Sequence, residues 1–563
     1  MIAAFKNKKV NWWKIIFVVF VAAYALIMLI KPNLGPTDDY NLLPTLQVNR
    51  LIPFYSSLFP YGDFAKIGRL SILTPMEYYF FGLFFKSPSA FWYFLFHAFQ
   101  YVVLMILFVK IISKFTSNKF LIYLTPILLS LTPAMTIPFF RTFLNERNLI
   151  YYYAVFLFCY LLYLQKPKLG YLLLGLTSAN LAIYYKENAF IALAAFAFCH
   201  LLLSSKKSGS KTNEPPGQKP ILKIFDGLVI LSSFVYLLLY YFIVYRHLNP
   251  NIHLYTYTPF NYLLVFIKNL FNYGFFTDPI LILILLPFTG WRIYKFLRRQ
   301  LELHPIYDSM LIAGSMFVLG YFVLNIYSPN YLLPAYIFAL PPLIYFFSQR
   351  EQRTLLFKGV AIACGVVLIF NVFPTGIHYL TYYKYLSVNF NKTLDFLISD
   401  INSRYPSQRA NIFIDAVDPQ SGAAVYFIFT NFLQYRGLSW ERFNFKSSLK
   451  TGDAFRIKIQ GSHPPFTVFQ NNDAYKIQSG DYLIVPSEAT TKNITSDYLQ
   501  SLTKDYKLLS KTSSLLAFPN INLKTLAKYF LSETLSENQK MKQGLMINEN
   551  LMQWPNYYVF IKR

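Results

Sequence analysis

Charge is what this chain lacks. Only 14% of its 563 residues are Asp, Glu, Lys or Arg, against 55% hydrophobic residues and a positive mean hydropathy, which excludes an ordinary soluble domain. Acid is scarcer still, with 26 Asp and Glu against 52 Lys and Arg and a formal net charge of +26. In a soluble chain that excess would suggest nucleic acid. No basic-aromatic nucleic-acid motif accompanies it, and in a membrane chain the cations are first divided between two faces. Cysteine is nearly absent: Cys159, Cys199 and Cys364 each stand inside an apolar run without CxxC spacing, so neither a disulfide framework nor a zinc site is supported. The first apolar run has no small-residue cleavage site and is too long for a signal-peptide core, so it reads as a retained helix. An internal repeat of the transporter kind is missing too.

What is present is a series of long apolar runs. Segments able to cross about 30 Å of hydrocarbon, roughly 17 to 25 residues each, fall near 13–31, 91–112, 119–138, 148–165, 169–185, 187–204, 221–245, 277–296, 309–327, 331–347 and 357–379. With the N-terminus cytoplasmic, the inner loops hold the cations, from Lys6, Lys8, Lys9 and Lys14 through Lys110, Lys114 and Lys119 to Arg350, Arg353 and Lys358. An odd number of spans then puts everything beyond about residue 380 on the extracytoplasmic side of the cell membrane. The stretch FNYLLVFIKNLFNYGFF, at 260–276, reads either as part of a span or as a surface helix. The segment SSKKSGSKTNEPPGQKP, near 204–220, is a polar cytoplasmic linker.

Two segments lie outside the expected bundle. The loop 31–90 is rich in aromatics and prolines and suits interfacial helices forming a floor or lid. The stretch 385–563 is more polar, with β-type runs NIFIDA, AVYFIFTNF, FRIKIQ, FTVFQ, DYLIVPS and YYVFIKR around a helical TLDFLISDINSRY. The expected fold class is therefore mainly α, a polytopic transmembrane helical bundle over 1–384 with an extracytoplasmic α/β or α+β domain over 385–563.

The charges of the outer loops are few and grouped. Asp38 and Asp39 follow the first span in GPTDDY; Arg141, Glu146 and Arg147 stand in FFRTFLNERN; Lys186 and Glu187 stand in IYYKENAF. Any one of them reads as a helix-end charge answering the macrodipole. Together, in loops otherwise poor in charge, they suggest a polar cavity at one membrane face. A carboxylate there takes a proton from an acceptor hydroxyl, while a cation or a carboxylate-bound divalent metal stabilises a departing phosphate. That combination suits glycosyl transfer from a lipid-phosphate sugar, with the aromatic first loop limiting water access.

In these residues the chain resembles the GT-C superfamily of multi-spanning glycosyltransferases, in its protein O-mannosyltransferase-like and lipid A aminoarabinose transferase-like branch. The resemblance covers roughly residues 10–380 and rests on Asp38-Asp39, GRLSILTPMEYYFFGLF, TPAMTIPFFRTFLNERN, YYKENAFIAL and SPNYLLPAYIFALPPL, in that order. It implies a polyprenyl-phosphate sugar donor and one of Asp38 and Asp39, with a lean to Asp38, as general base. It further implies Arg141, Glu146, Arg147, Lys186, Glu187, Arg246 and Tyr331 as donor-phosphate or acceptor contacts. If a divalent metal, magnesium or manganese, takes part, Asp38, Asp39 and Glu146 are its implied ligands. Sugar and acceptor, whether protein, lipid or polysaccharide, stay open. There are departures: Asp-Asp stands where Asp-Glu is common, and Asn330 precedes Tyr331 where Arg is often found. Arg246 and His247 are candidates to replace that Arg, or an interface anchor.

Other features have plainer readings. His97 reads as a hydrogen-bonded residue of the bundle or of the membrane interface, and Asp415 and Asp418 as turn residues. Asn391-Lys392-Thr393 and Asn493-Ile494-Thr495 match the glycosylation pattern, which recurs by chance. Competing functions are a transporter or flippase, which predicts ionisable groups deep in the bundle, and a non-catalytic envelope-assembly protein working through its outer domain.

Overall fold

The computed structural model describes residues 11–36, 70, 72–73, 89–142, 144–207, 219–247, 259–300, 302–348, 355–414, 428–446, 476–486, 496–523, 525–526 and 555–563. Among them, seven helices are long and apolar enough to cross a membrane, a bent pair adds an eighth pass, and three shorter apolar helices lie between. These helices fall on the eleven runs read from the sequence. In chain order they begin with α1 (Trp12–Leu29), α2 (Ala90–Ile112), α3 (Lys119–Ser130), α4 (Pro133–Phe140), α5 (Asn145–Gln165), α6 (Leu169–Tyr185), α7 (Ala189–Lys207) and α8 (Lys219–Ile243). Next, α9 (Pro259–Asn272) leads through two π-helical turns, Tyr273–Thr277 and Ile280–Leu285, into α10 (Leu286–Leu297). The bundle closes with α11 (Pro305–Val323), α12 (Tyr336–Ser348) and α13 (Leu355–Val367), which continues through the π turn Leu368–Val372 into α14 (Phe373–Arg404).

Two local departures have simple causes. The run 119–138, expected as one straight span, bends by 60° between α3 and α4. Pro133 has no amide to give the preceding turn; the Thr132 hydroxyl instead donates to Leu129 O at 2.8 Å and accepts from Met135 N at 3.4 Å, starting a new helix. Gly376 of α14 sits against this bend, where a Cβ would fall 2.7 Å from Leu131 C and 2.9 Å from Thr132 C. Helix α9, in turn, has 14 residues and is too short to span. Its apolar Leu263, Leu264, Ile267 and Phe271 are exposed while Asn269 is buried, bonded at 2.8 Å to Asn325. That inverted face suits lipid rather than water.

The C-terminal sheet is built on α14, which runs unbroken through residue 385. Leu386, Phe390, Leu394, Leu397 and Ile401 recur at three- and four-residue spacing, so they share one face. That face is buried against Ala410, Ile412, Phe443, Tyr482, Ile484 and Val559. The strands are β1 (Ala410–Ile414), β2 (Phe443–Lys446), β3 (Tyr482–Pro486), β4 (Tyr506–Lys511) and β5 (Tyr557–Lys562). Their order is β2-β1-β3-β5-β4, with β2, β1 and β3 parallel and β5 antiparallel to both neighbours. NIFIDA, DYLIVPS and YYVFIKR thus supply strands. AVYFIFTNF is helical over its described residues 428–432, and FRIKIQ and FTVFQ lie outside the described residues, as do Asp415, Asp418 and Asn493. Asn391 is 5% exposed inside α14, donating to Leu34 O at 2.8 Å and Ser387 O at 2.7 Å, so its glycosylation pattern is not an accessible acceptor.

Sheet and bundle meet at one end. His378 Nδ1 lies 2.8 Å from Phe518 O, Leu523 N donates to Asn371 Oδ1 at 2.9 Å, and Lys384 Nζ reaches Met28 O at 3.3 Å. The described return of the first loop is tied to the neighbouring helices, with Tyr236 OH donating to Leu70 O at 3.1 Å and Leu73 N to Tyr184 O at 3.0 Å.

Candidate active site

The sheet-bearing end of the bundle gathers three of the expected site residues. Glu146 lies in the first turn of α5, where the helix dipole favours an acid, and Lys186 closes the C-terminus of α6, where it favours a cation. α5 and α6 pack as an antiparallel pair, which brings the two together: Lys186 Nζ pairs with Glu146 Oε1. The carboxylate is buried at 1% exposure and the lysine side chain keeps 13%. The ammonium sits 4.4 Å from the Tyr331 ring centroid and 6.0 Å from that of Tyr321, two rings stacked on each other at 5.1 Å. Burial pulls the Lys186 pKa down, but the Glu146 carboxylate, the Tyr321 and Tyr331 hydroxyls and the Glu187 carboxylate more than offset it and hold it above the usual lysine value. Glu187 itself stands half-buried within electrostatic reach of Lys186, Tyr321, Tyr236 and Tyr240.

The neighbouring cations go elsewhere. Arg147, one residue and about 100° round the helix from Glu146, turns fully into the bundle. Its Nε donates to Gln100 Oε1 at 2.8 Å, and Gln100 Nε2 donates to Asn148 Oδ1 at 2.8 Å. Its Nη1 meets His97 Nε2 at 2.5 Å while His97 Nδ1 lies 3.3 Å from Phe139 O. These contacts fit the neutral tautomer with the proton on Nδ1, donating to the carbonyl and accepting from the guanidinium. Arg141 caps α4 with its guanidinium 5.6 Å from the Tyr383 ring of α14. Arg246 is exposed, 4.9 Å and 5.4 Å over Phe242 and Tyr241 of its own helix end. Asp38 and Asp39 lie outside the described residues, as does the side chain of His247. Among the described residues no three His, Cys, Asp or Glu come together as a metal site.

Sequence reasoning missed several buried groups. Asp278, between the two π turns, is fully buried beside Thr277 and Tyr336. Its signal was a single acid, in FFTDPILIL, directly ahead of an apolar run. Asn330, read from the sequence only as a departure in front of Tyr331, is buried at 2% exposure and accepts from Ser328 Oγ at 2.6 Å. Site-forming charges were expected at the outer face, with the inner cations read as loop charges, whereas two buried pairs lie toward the opposite end. His200 Nδ1 is 2.8 Å from Asp226 Oδ2, with Tyr160 OH donating to Asp226 Oδ1 at 2.7 Å. Arg292 reaches Asp308 through Nε at 2.5 Å and Nη2 at 3.0 Å. Each was visible only as a lone charge, because its partner lies 26 or 16 residues away on another helix.

No protein-family model and no curated protein matches the sequence. Several solved structures do. The chain is similar in course to two membrane glycosyltransferases. One is the Archaeoglobus fulgidus oligosaccharyltransferase tethered with an acceptor peptide, at 12% identity and TM-score 0.39, over 85% of this chain and 70% of that one. The other is ArnT from Cupriavidus metallidurans bound to undecaprenyl phosphate, at 12% identity and TM-score 0.36, over 90% of this chain and 97% of that one. At that identity the likeness concerns the path of the chain and not its side chains.

Proposed function

We propose that the chain is an integral-membrane glycosyltransferase, with its N-terminus cytoplasmic and its sheet extracytoplasmic, that moves a sugar from a polyprenyl-phosphate donor to an acceptor at the outer face. The bundle over 1–384 carries the chemistry and the unit over 385–563 faces the acceptor. The observation that supports this most is the buried Glu146–Lys186 pair under Tyr331, at the bundle end where the first loop departs and returns. A lysine whose pKa is raised stays an ammonium at physiological pH, as a phosphate-binding cation must. Glu146 fixes its position and Tyr331 holds its other side.

In the proposed reaction an acceptor nucleophile attacks the anomeric carbon, the bond from that carbon to the phosphate oxygen breaks, and polyprenyl phosphate leaves with the electron pair. The proton of the nucleophile passes to a carboxylate of the first loop, Asp38 or Asp39. Lys186 offsets the charge gathering on the phosphate, with Arg141 and Arg246 as further phosphate contacts, Glu187 as an acceptor contact and Arg147 holding the start of α5 in place. Asp38→Asn and Asp39→Asn, made separately and assayed for transfer from a polyprenyl-phosphate sugar, test the base. One of them is expected to lose at least about 100-fold; full transfer by both variants overturns the assignment.

A further inference from the structure

The unsatisfied polar atoms of the bundle are concentrated beside this site. Asn188 Oδ1, Thr277 Oγ1, both carboxylate oxygens of Asp278, Tyr321 OH, Asn330 Nδ2 and Tyr336 OH have no hydrogen-bond partner among the described residues. All six residues are at most 7% exposed. They form one neighbourhood. Asn188 lies next to Tyr321, whose ring stacks on Tyr331 above Lys186. Tyr336 is five residues on from Tyr331, and its hydroxyl and that of Thr277 stand beside the Asp278 carboxylate, close enough to act on it electrostatically but without a hydrogen bond of ordinary geometry. The segment between is held to the Asp278 turn by Tyr273, whose hydroxyl donates to Ile326 O at 3.0 Å and accepts from Ser328 N at 3.2 Å.

Buried polar groups are nearly always bonded, and an unpaired carboxylate is among the costliest exceptions. The orphans here are complementary to one kind of ligand. Two carboxylate oxygens and an amide oxygen accept, an amide nitrogen donates, and three hydroxyls do either, which is the pattern presented by a ring carrying several hydroxyls. A phosphate is repelled by Asp278, and a lone carboxylate falls short of a divalent cation's oxygen set. The π-helical turns on both sides of Asp278 fit a functional origin, since such bulges are frequent at functional sites.

We infer that Asp278, with Thr277, Tyr336 and Asn330, binds the hydroxyls of the donor's sugar, two of them bidentate on the carboxylate, while Lys186 takes the phosphate. The donor is thereby oriented, neutral end toward Asp278 and charged end toward Lys186. This rests on the glycosyl-donor reading above.

The test compares farnesyl phosphate, bare and carrying mannose, glucose or arabinose, for binding to the full chain in nanodiscs. In Asp278→Asn the affinity for the best-bound glycosylated lipid falls at least about ten-fold while that for bare farnesyl phosphate is unchanged. Tyr336→Phe gives a smaller fall in the same direction. Because an amide oxygen at the same place still faces the Thr277 and Tyr336 hydroxyls, the Asn variant unfolds at the same temperature as wild type or higher, an outcome that a structural role for Asp278 reverses. Equal affinities for the glycosylated lipid in wild type and Asp278→Asn, or parallel losses for both lipids, overturn the inference and leave the phosphate site standing. If wild type binds no glycosylated lipid, the donor reading itself fails and this inference with it.

Discussion

Lys186→Met is the substitution whose cost the structure sets best. It leaves the Glu146 carboxylate, 1% exposed, without its ammonium. Removing one member of a buried pair costs about 3–5 kcal/mol, because the survivor is an uncompensated buried charge. The reverse change is milder. In Glu146→Gln the lysine keeps its 13% exposure and the Tyr331 ring face at 4.4 Å, so the cost is about 1–2 kcal/mol. The double variant removes both charges and is expected to be more stable than Lys186→Met alone, with a coupling of about 2–3 kcal/mol in the cycle. Denaturant unfolding in mixed micelles, followed by tryptophan fluorescence on all four proteins, measures it. Single-variant costs that simply add, to within about 0.5 kcal/mol, would refute the pairing.

Three further outcomes follow from the same geometry. The stability difference between wild type and the Glu146→Gln/Lys186→Met double variant, in which neither charge remains to titrate, should be flat with pH across the neutral range. A raised lysine pKa gives stability that is complete below the unfolded value of about 10.4 and is lost only as pH rises through the folded one, so a decline starting near neutrality speaks against the pair. Gly376→Ala drives a methyl into the Leu131 carbonyl at the α3–α4 bend and should cost about 3 kcal/mol or more by the same unfolding measurement, since neither helix backbone yields easily. Arg292→Lys loses the two-point contact with Asp308 and should cost about 1–3 kcal/mol while leaving transfer per folded molecule intact; a selective loss of transfer would move Arg292 into the site.

Legibility in the sequence followed the length scale of the signal. The runs that became α2, α5 and α11 were plain because crossing the membrane demands about twenty consecutive apolar residues. The 60° bend at Thr132-Pro133 was not read, since a proline near a span's middle kinks some helices and starts others. Glu146, Lys186 and Tyr331 were readable as site candidates because each is polar or aromatic at an otherwise apolar helix end. Their pairing came only with the packing of α5 on α6. Arg147 carried the same signal as Glu146, and only the helical turn separating them sent it to His97 and Gln100. Asp278 was missed because a lone acid before an apolar run looks like a cap. Its missing partners are a three-dimensional fact. In the sheet, AVYFIFTNF had strand composition but helical neighbours, and context decided.

The central claim, transfer of a sugar from a polyprenyl-phosphate donor, is tested most directly in proteoliposomes. The purified chain is supplied with polyprenyl-phosphate sugars and an envelope fraction as acceptor, and the released polyprenyl phosphate and the glycosylated product are measured together by mass spectrometry. Stoichiometric release and product with wild type, both abolished in Asp38→Asn/Asp39→Asn and strongly reduced in Lys186→Met, is the predicted result. Donor left unconsumed by wild type across the sugar panel, or equal turnover by the double aspartate variant, contradicts it.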